Sequence, residues 1–532
     1  MITTKIKKAL MGMALGAAFL GVNAAPLEAS EPKPGGTLTT ITTGFRTLNP
    51  AVQSGGATGI PGSQIFAGLL QIEDGYKAVP YLAESWTASN DGLSYTFKLR
   101  SDATFHDGKP ITSKDVAFSF GVVKANHPFG KLMFGAINAI DTPDETTVVV
   151  RLSKPTPSFI QSLQPFLMPV LPQHVYGDGQ NVKTHPRNNQ DVVGSGPFHV
   201  AEHKRGEYLI LKRYDGFFRK GKPYLDRIVV KYVKEAGVRF LGFDKGDFDY
   251  IALSGFTPNE LKRLKKKSDI TVTGQGYEAM GHVNYLELNL RRKPFDDVRV
   301  RQAIAHALNK DFIVKVLFQG ESKKALGPIH SGGVFAAKDL PDYAGGIEKA
   351  NALLDEAGLK PDADGIRFKM ELDIPSWGAS YLGVMANYMM PQLKKAGIDV
   401  VARKAPDFGS WVKRISSWNY DATMSAAWNY PDPLIGLHRL YACNNIQNII
   451  WSNTQGYCNE KVDAIMEKAS GTLDQSERRK LYGDFQKLMV EELPLIYLTE
   501  EKFTTGYHNY VKNVPLGPWG ALGPWDNMYL DK

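Results

Sequence analysis

Two large lobes of α/β type are what this sequence predicts, on three observations. Helical and extended patterns alternate through its later half. Its 532 residues exceed the span that one core usually fills. Finally, no fixed-period repeat and no long low-complexity linker divides it, which suits lobes joined by short strand crossings better than separate domains on a tether. Hydrophobic residues make up 43% and charged residues 22%, with 51 glycines and 31 prolines spread throughout. That balance belongs to a folded protein rich in loops.

The first 24 residues stand apart. Lys5, Lys7 and Lys8 precede an apolar run from Ala9 to Val22, with a cleavage point after Ala24. This order reads as a secretory signal peptide (1–24); the alternative, a membrane anchor, has a short run and no stop-transfer segment. The only cysteines are Cys443 and Cys458, so a lipidated amino terminus has no support and a soluble periplasmic protein is expected. Removing the three early lysines lowers the net charge from +8 to about +5. Lys262–Lys267, KRLKKK, is the densest basic stretch, on a helix starting at Asn259. It reads as a solvated face, not a nucleic-acid groove. Export permits a Cys443–Cys458 disulfide, whose loop closure contributes roughly 3 kcal/mol. The alternatives are two reduced core cysteines or a metal site, which would need further ligands.

The elements follow in order. Gly35-Gly36 turns into a strand ending near Ile41, Leu48-Asn49-Pro50 forms a polar turn, and residues 62–70 form a short helix. Ser94–Arg100 alternates as a half-buried strand. In FHDGKPIT a turn leads into a helix, with Thr112 as cap, Asp115 completing a capping-box-like pair, and Ile111 stapled to Val116. Further strands are expected at 146–152, 208–212 and 368–373. Pro294–Ile304 opens a helix capped by Asp296, and helices follow at 346–357, 381–396, 460–469 and 475–491.

None of the polar pairs specifies a reaction. His106-Asp107 belongs to a glycine turn and Asp296-Asp297 to a helix start. The 11 histidines are scattered without an HExxH motif, no P-loop is present, and Gly194-Ser195-Gly196 lacks the GxSxG pattern. No enzyme, metal or cofactor is expected.

PGGTL at 34–38, LAESW at 82–86, YTFKLRSDATFHDGKPITSKDVAFSF at 95–120, GSGPF at 194–198 and PFDDVRVRQAI at 294–304 together carry a resemblance. The chain resembles the family 5 extracellular solute-binding proteins, including periplasmic peptide-binding components of ABC importers. The resemblance implies a two-lobed periplasmic binding protein fold with a discontinuous first lobe. Its amino-terminal portion would be 35–287, with an inserted subdomain at 71–193. The second α/β lobe would span 288–495, and 496–532 would return to the first. It implies a monomer that captures a small polar solute for a membrane permease with ATPase subunits. The solute would be an opine, a sugar-bearing conjugate or a short peptide. Metal-chelate or haem binding, and an exported peptide-binding chaperone, are the alternatives.

In peptide-binding members an aspartate three positions before the Asp-Pro pair contacts the peptide ammonium. In WNYPDPL, 428–434, that position is Asn429, which has no charge. Trp428 and Tyr430 are candidates for stacking on the solute, against the ordinary role of aromatics beside a proline turn. Arg439 is a candidate for an anionic group, Trp411 and Trp418 for a pocket wall or core, and Tyr285 for a hinge or cleft position.

Overall fold

The computed structural model describes residues 31–44, 46–378 and 380–532. The expected signal peptide, 1–24, lies outside the described residues. Strand Thr37–Thr42 turns Leu38 and Thr40 inward and lies parallel to Arg227–Tyr232 on one side and Tyr250–Ile251 on the other. It is the centre of a seven-stranded mixed sheet. The late strand Thr505–His508 slots antiparallel between Tyr250–Ile251 and Ile270–Thr273, so the carboxy-terminal segment completes this first sheet.

A four-stranded antiparallel sheet, ordered Ala83–Ala88, Ser94–Leu99, Thr147–Leu152, Ile137–Asp144, packs into the same core. Ser94–Leu99 buries Tyr95, Phe97 and Leu99 and leaves Lys98 outward, the period of two expected of a half-buried strand. Helix Ser113–Asn126 begins where Asp115 Oδ2 accepts from the Thr112 N–H (2.9 Å) and the Thr112 hydroxyl (2.8 Å). Ile111 and Val116 are both buried beside it.

A second core belongs to a six-stranded sheet, ordered Ser322–Lys324, Leu495–Glu501, His282–Leu288, Ala422–Trp428, Phe368–Ile374, Ile398–Lys404. Every residue of His282–Leu288 is buried because helices cover both faces. Helices Gly346–Glu356, Leu382–Lys395, Glu460–Gly471 and Gln475–Glu492 lie close to their expected ranges.

Three starts differ from expectation. The short helix near 62–70 is Gly56–Ile65, since Gly59 and Gly62 let it lie against Phe166 and Pro50 with no room for a side chain. The helix Val298–Ala307 is capped by Asp297, whose carboxylate accepts from the Arg299 N–H at 2.8 Å. Asp296 instead offers its carbonyl to Arg301 at 3.0 Å. The basic helix Pro258–Leu264 is capped by Thr257 in a capping box with Glu260. Three cations of the basic stretch are paired, Arg263 and Lys267 with Asp244 and Lys265 with Glu321.

Cys443 and Cys458 form a disulfide. The enclosed loop is tied further by Asn453, whose Nδ2 donates to the carbonyls of Ala442 (3.0 Å) and Tyr457 (2.6 Å). Replacing both cysteines by serine should lower stability by up to about 3 kcal/mol in urea titration. The internal hydrogen bonds of the loop should preserve the far-ultraviolet circular dichroism spectrum.

Candidate functional site

Ligand clefts in α/β proteins lie beyond the carboxyl ends of parallel strands. In the first sheet those ends lead to Arg46 and Leu253. In the second they lead to Trp377 and the stretch Trp428–Leu434. These segments meet. The Arg46 guanidinium lies 4.3 Å above the Phe408 ring, and a side chain at Gly56 would touch both Leu253 and the tip of Trp428. Phe129, just after helix Ser113–Asn126, meets the Tyr430 ring at 5.1 Å and lies 4.7 Å from the Arg439 guanidinium.

WNYPDPL is held rigidly. Asp432 caps the turn Pro433–Gly436 by accepting from the Leu434 N–H at 3.0 Å. Its two oxygens also accept from Arg478 Nη2 at 3.0 and 2.8 Å, and both residues are buried. The Arg478 guanidinium stacks on Phe335 at 4.7 Å. Gly436 is required because a Cβ there would collide with the Asn429 carbonyl. Tyr430 takes a left-handed backbone (φ 56°), a strained state that persists only where its surroundings over-determine it. Its ring, with Ile435, enters the first-lobe core and approaches Trp519 at 6.2 Å.

Asn429 is 5% exposed and its amide is engaged on both sides. The side-chain oxygen accepts from the His330 N–H at 2.5 Å, and Nδ2 donates to the Pro328 carbonyl at 3.1 Å. Its own N–H donates to the Met280 carbonyl at 2.8 Å. The cavity beside it, lined by Glu278, His330, Phe335 and Tyr430, has about 10 Å³, room for about one water.

Arg439 is 8% exposed. Nε donates to the Gly436 carbonyl at 3.1 Å and Nη1 to the Trp451 carbonyl. Among the described residues no carboxylate lies within 4 Å of it. Burial pulls its guanidinium below the ordinary arginine range, opposed by the hydroxyls of Tyr430, Tyr285 and Tyr441. Tyr285, opposite Ser425 and Tyr497 in neighbouring strands, is thus in the group around Arg439.

Trp411 is fully buried, its Nε1 donating to Thr423 Oγ1 at 2.9 Å. With Trp377, Trp451 and Phe408 it forms an aromatic cluster next to the seam. Trp418 is not brought there. It follows helix Phe408–Ser416, lies under Arg291 at 4.0 Å, and its carbonyl meets Asn289 beyond the far end of His282–Leu288. Sequence reasoning missed Phe129, Trp377, Phe408 and Trp451, for which no local signal exists. No group of three or more His, Cys, Asp or Glu among the described residues could hold a metal ion, and no described helix is long and apolar enough to cross a membrane.

Two sheets with separate cores, meeting at an aromatic seam beyond their strand ends, define a two-lobed binding protein. The family model for bacterial extracellular solute-binding proteins, family 5, matches residues 77–448, and the chain belongs to that family. The dipeptide-binding protein of Escherichia coli K12 is 27% identical over 466 residues, covering 84% of this chain and 85% of that one. Among solved structures, the periplasmic binding protein DppA from Helicobacter pylori, in complex with the peptide STSA, superposes with a TM-score of 0.82 at 25% identity, covering 94% and 99% of the two chains. AgaA from A. tumefaciens R10, in complex with agropinic acid, gives 0.79 at 27% identity, covering 93% and 99%.

Two substitutions probe this loop. Asn429→Asp removes the donor to Pro328 and sets a carboxylate oxygen against that carbonyl, so unfolding free energy should fall by about 1–3 kcal/mol. Arg478→Met leaves Asp432 buried without its partner and should cost about 3–5 kcal/mol. Denaturant titration of the ligand-free variants checks both.

Proposed function

We propose that this protein captures a small polar solute bearing an acidic group between its lobes. It then delivers the solute, as a soluble periplasmic monomer, to the membrane permease of an ABC importer. The importer's ATPase subunits supply the energy, and this chain changes no covalent bond in its cargo. The observation that carries the reading is Arg439, a buried cation with no carboxylate within 4 Å among the described residues and with Phe129 across its face. An unpaired buried charge is costly, and a carboxylate on the solute would offset that cost with charge-assisted hydrogen bonds.

Asn429 supports an opine or sugar-bearing conjugate over a peptide held by a free amino terminus at that position. It has no charge, and its amide is already engaged with Pro328 and His330. The likeness to a protein solved with agropinic acid supports the same choice. Trp428 and Tyr430 serve closure on this reading, the first half-buried against the first lobe and the second inside its core.

Native mass spectrometry of gently purified protein, then calorimetry with agropinic acid, a short peptide and a neutral sugar, tests the proposal. The acid should bind, and Arg439→Gln should weaken it by about 1.5–3 kcal/mol. Equal affinity of wild type and variant for every acidic solute would overturn the role of Arg439.

A further inference from the structure

Glu501 ends the strand Leu495–Glu501, where the chain leaves the second sheet for the first. Among the described residues its carboxylate has one hydrogen bond, from Asn284 Nδ2 at a long 3.4 Å, and no Lys, Arg or His within 4 Å. Ser322 lies opposite it in the sheet with an unpartnered hydroxyl, and polar atoms on the neighbouring strand also go unpaired. Asn284 is fully buried and its Oδ1 has no partner. His282, on the same face of its strand, is 3% exposed and its Nδ1 has no partner. The His282 ring stacks on Phe503 at 4.9 Å and meets the Tyr381 edge at 5.9 Å. Burial pulls His282 down to about 3, so the imidazole is neutral. A neutral imidazole accepts at Nδ1 when its proton is on Nε2, the tautomer that a cation beside Nδ1 would select. Burial also pushes Glu501 up to about 7. A carboxyl group, an amide oxygen and an imidazole nitrogen thus lie along one row, the last two without a partner.

This row connects to the Arg439 region along an aromatic wall. Tyr381 lies 6.3 Å from Trp377 between ring centroids, and Trp377 lies 6.3 Å from Trp451, whose carbonyl takes the Arg439 guanidinium. The indole N–H groups of Trp377 and Trp451 have no partners either.

We infer that Glu501, with Asn284 Oδ1 and His282 Nδ1, forms the subsite for a protonated amine of the solute, at a place distinct from residue 429. The inference rests on the proposed capture of an acid-bearing solute and narrows that class to acids that also carry an amine. The negative charge missing from Asn429 is supplied from the crossing strand instead. An ammonium there favours the ionised form of Glu501, which has no cation of its own, and donates to it, to Asn284 Oδ1 and to His282 Nδ1.

The test uses two probes that differ in one charge. One is a glutamate whose nitrogen carries a sugar alcohol, a protonated secondary amine; the other is its cyclised lactam, with an uncharged nitrogen. Calorimetry on the full mature protein compares wild type, Glu501→Gln, Glu501→Asp and Arg439→Gln. Wild type should prefer the amine by at least tenfold. Glu501→Gln should abolish that preference while leaving lactam affinity within about twofold, Glu501→Asp should retain part of it, and Arg439→Gln should weaken both probes alike. The thermal midpoint of ligand-free Glu501→Gln should stay level or rise, because an uncompensated charge is removed. A preference unmoved by Glu501→Gln, or a wild type that favours the lactam, overturns this inference alone. Failure of both probes to bind wild type at millimolar concentration overturns the acid-capture reading and this one with it.

Discussion

The geometry of the seam depends on the buried pair between Asp432 and Arg478. Asp432 caps the turn after Pro433 and takes both hydrogen bonds from Arg478, which projects from the helix Gln475–Glu492. The loop that ends the strand Ala422–Trp428 is thereby tied to a helix far along the chain. A buried ion pair adds little net stability once desolvation is counted, so its contribution is position. With Asp432 fixed, Tyr430 is held in its left-handed conformation, Gly436 lies against the Asn429 carbonyl, and the following turn carries Arg439 into the seam. Three candidate site residues inherit their places from one pair.

The forces joining the lobes are unequal. Lys154–Glu467 and Lys265–Glu321 bridge them at 2.6 Å, yet both pairs are open to solvent on at least one side, and such pairs contribute about 0–1 kcal/mol each. The apolar contacts are more substantial. Tyr430 and Ile435, from the second lobe, sit in the core of the first, and Phe129, from the first, covers Arg439. If the lobes close on a solute as proposed, closure buries aromatic surface and desolvates a cation in one movement. The first effect favours closing and the second opposes it, which leaves the balance open to a ligand that neutralises the cation.

Local grammar was legible in the sequence wherever a short-range interaction decides the outcome. Thr112 and Asp115 are three residues apart and their capping contact forms; Tyr95, Phe97 and Leu99 alternate and are buried together. The Asp-Pro turn and the Cys443–Cys458 bond belong to the same class. Trp411 and Ile415 are one helical turn apart and both are buried, a reason to separate Trp411 from Trp418 that the helix end supplies. Asp296 and Asp297 are indistinguishable by composition, and the choice between them rests on which one reaches the second helical N–H. What the sequence does not contain is convergence. Phe129 and Arg439 are brought together by the packing of two lobes. That Glu501 has no cation within 4 Å among the described residues is likewise a matter of packing, which no linear pattern records.

That contrast bears on how a ligand is read from a fold of this kind. The residue at the matched anchor position, Asn429, has both ends of its amide bound to backbone, so its identity is explained by the loop it stabilises. Arg439 and Glu501 have charges that the fold leaves uncompensated, and Trp377, Trp451, His282 and Asn284 have polar atoms without partners. Such groups lower the stability of the empty protein, since the polar atoms lost water without a replacement bond and the two charges lack an opposite charge. A solute that satisfies them returns that free energy on binding, and the protein is stabilised in proportion to ligand concentration over dissociation constant. On the proposed reading, the unsatisfied polar atoms are a more direct guide to the solute than the aligned position: an acid for Arg439, an amine for Glu501, and hydrogen-bond acceptors for the two indoles between them.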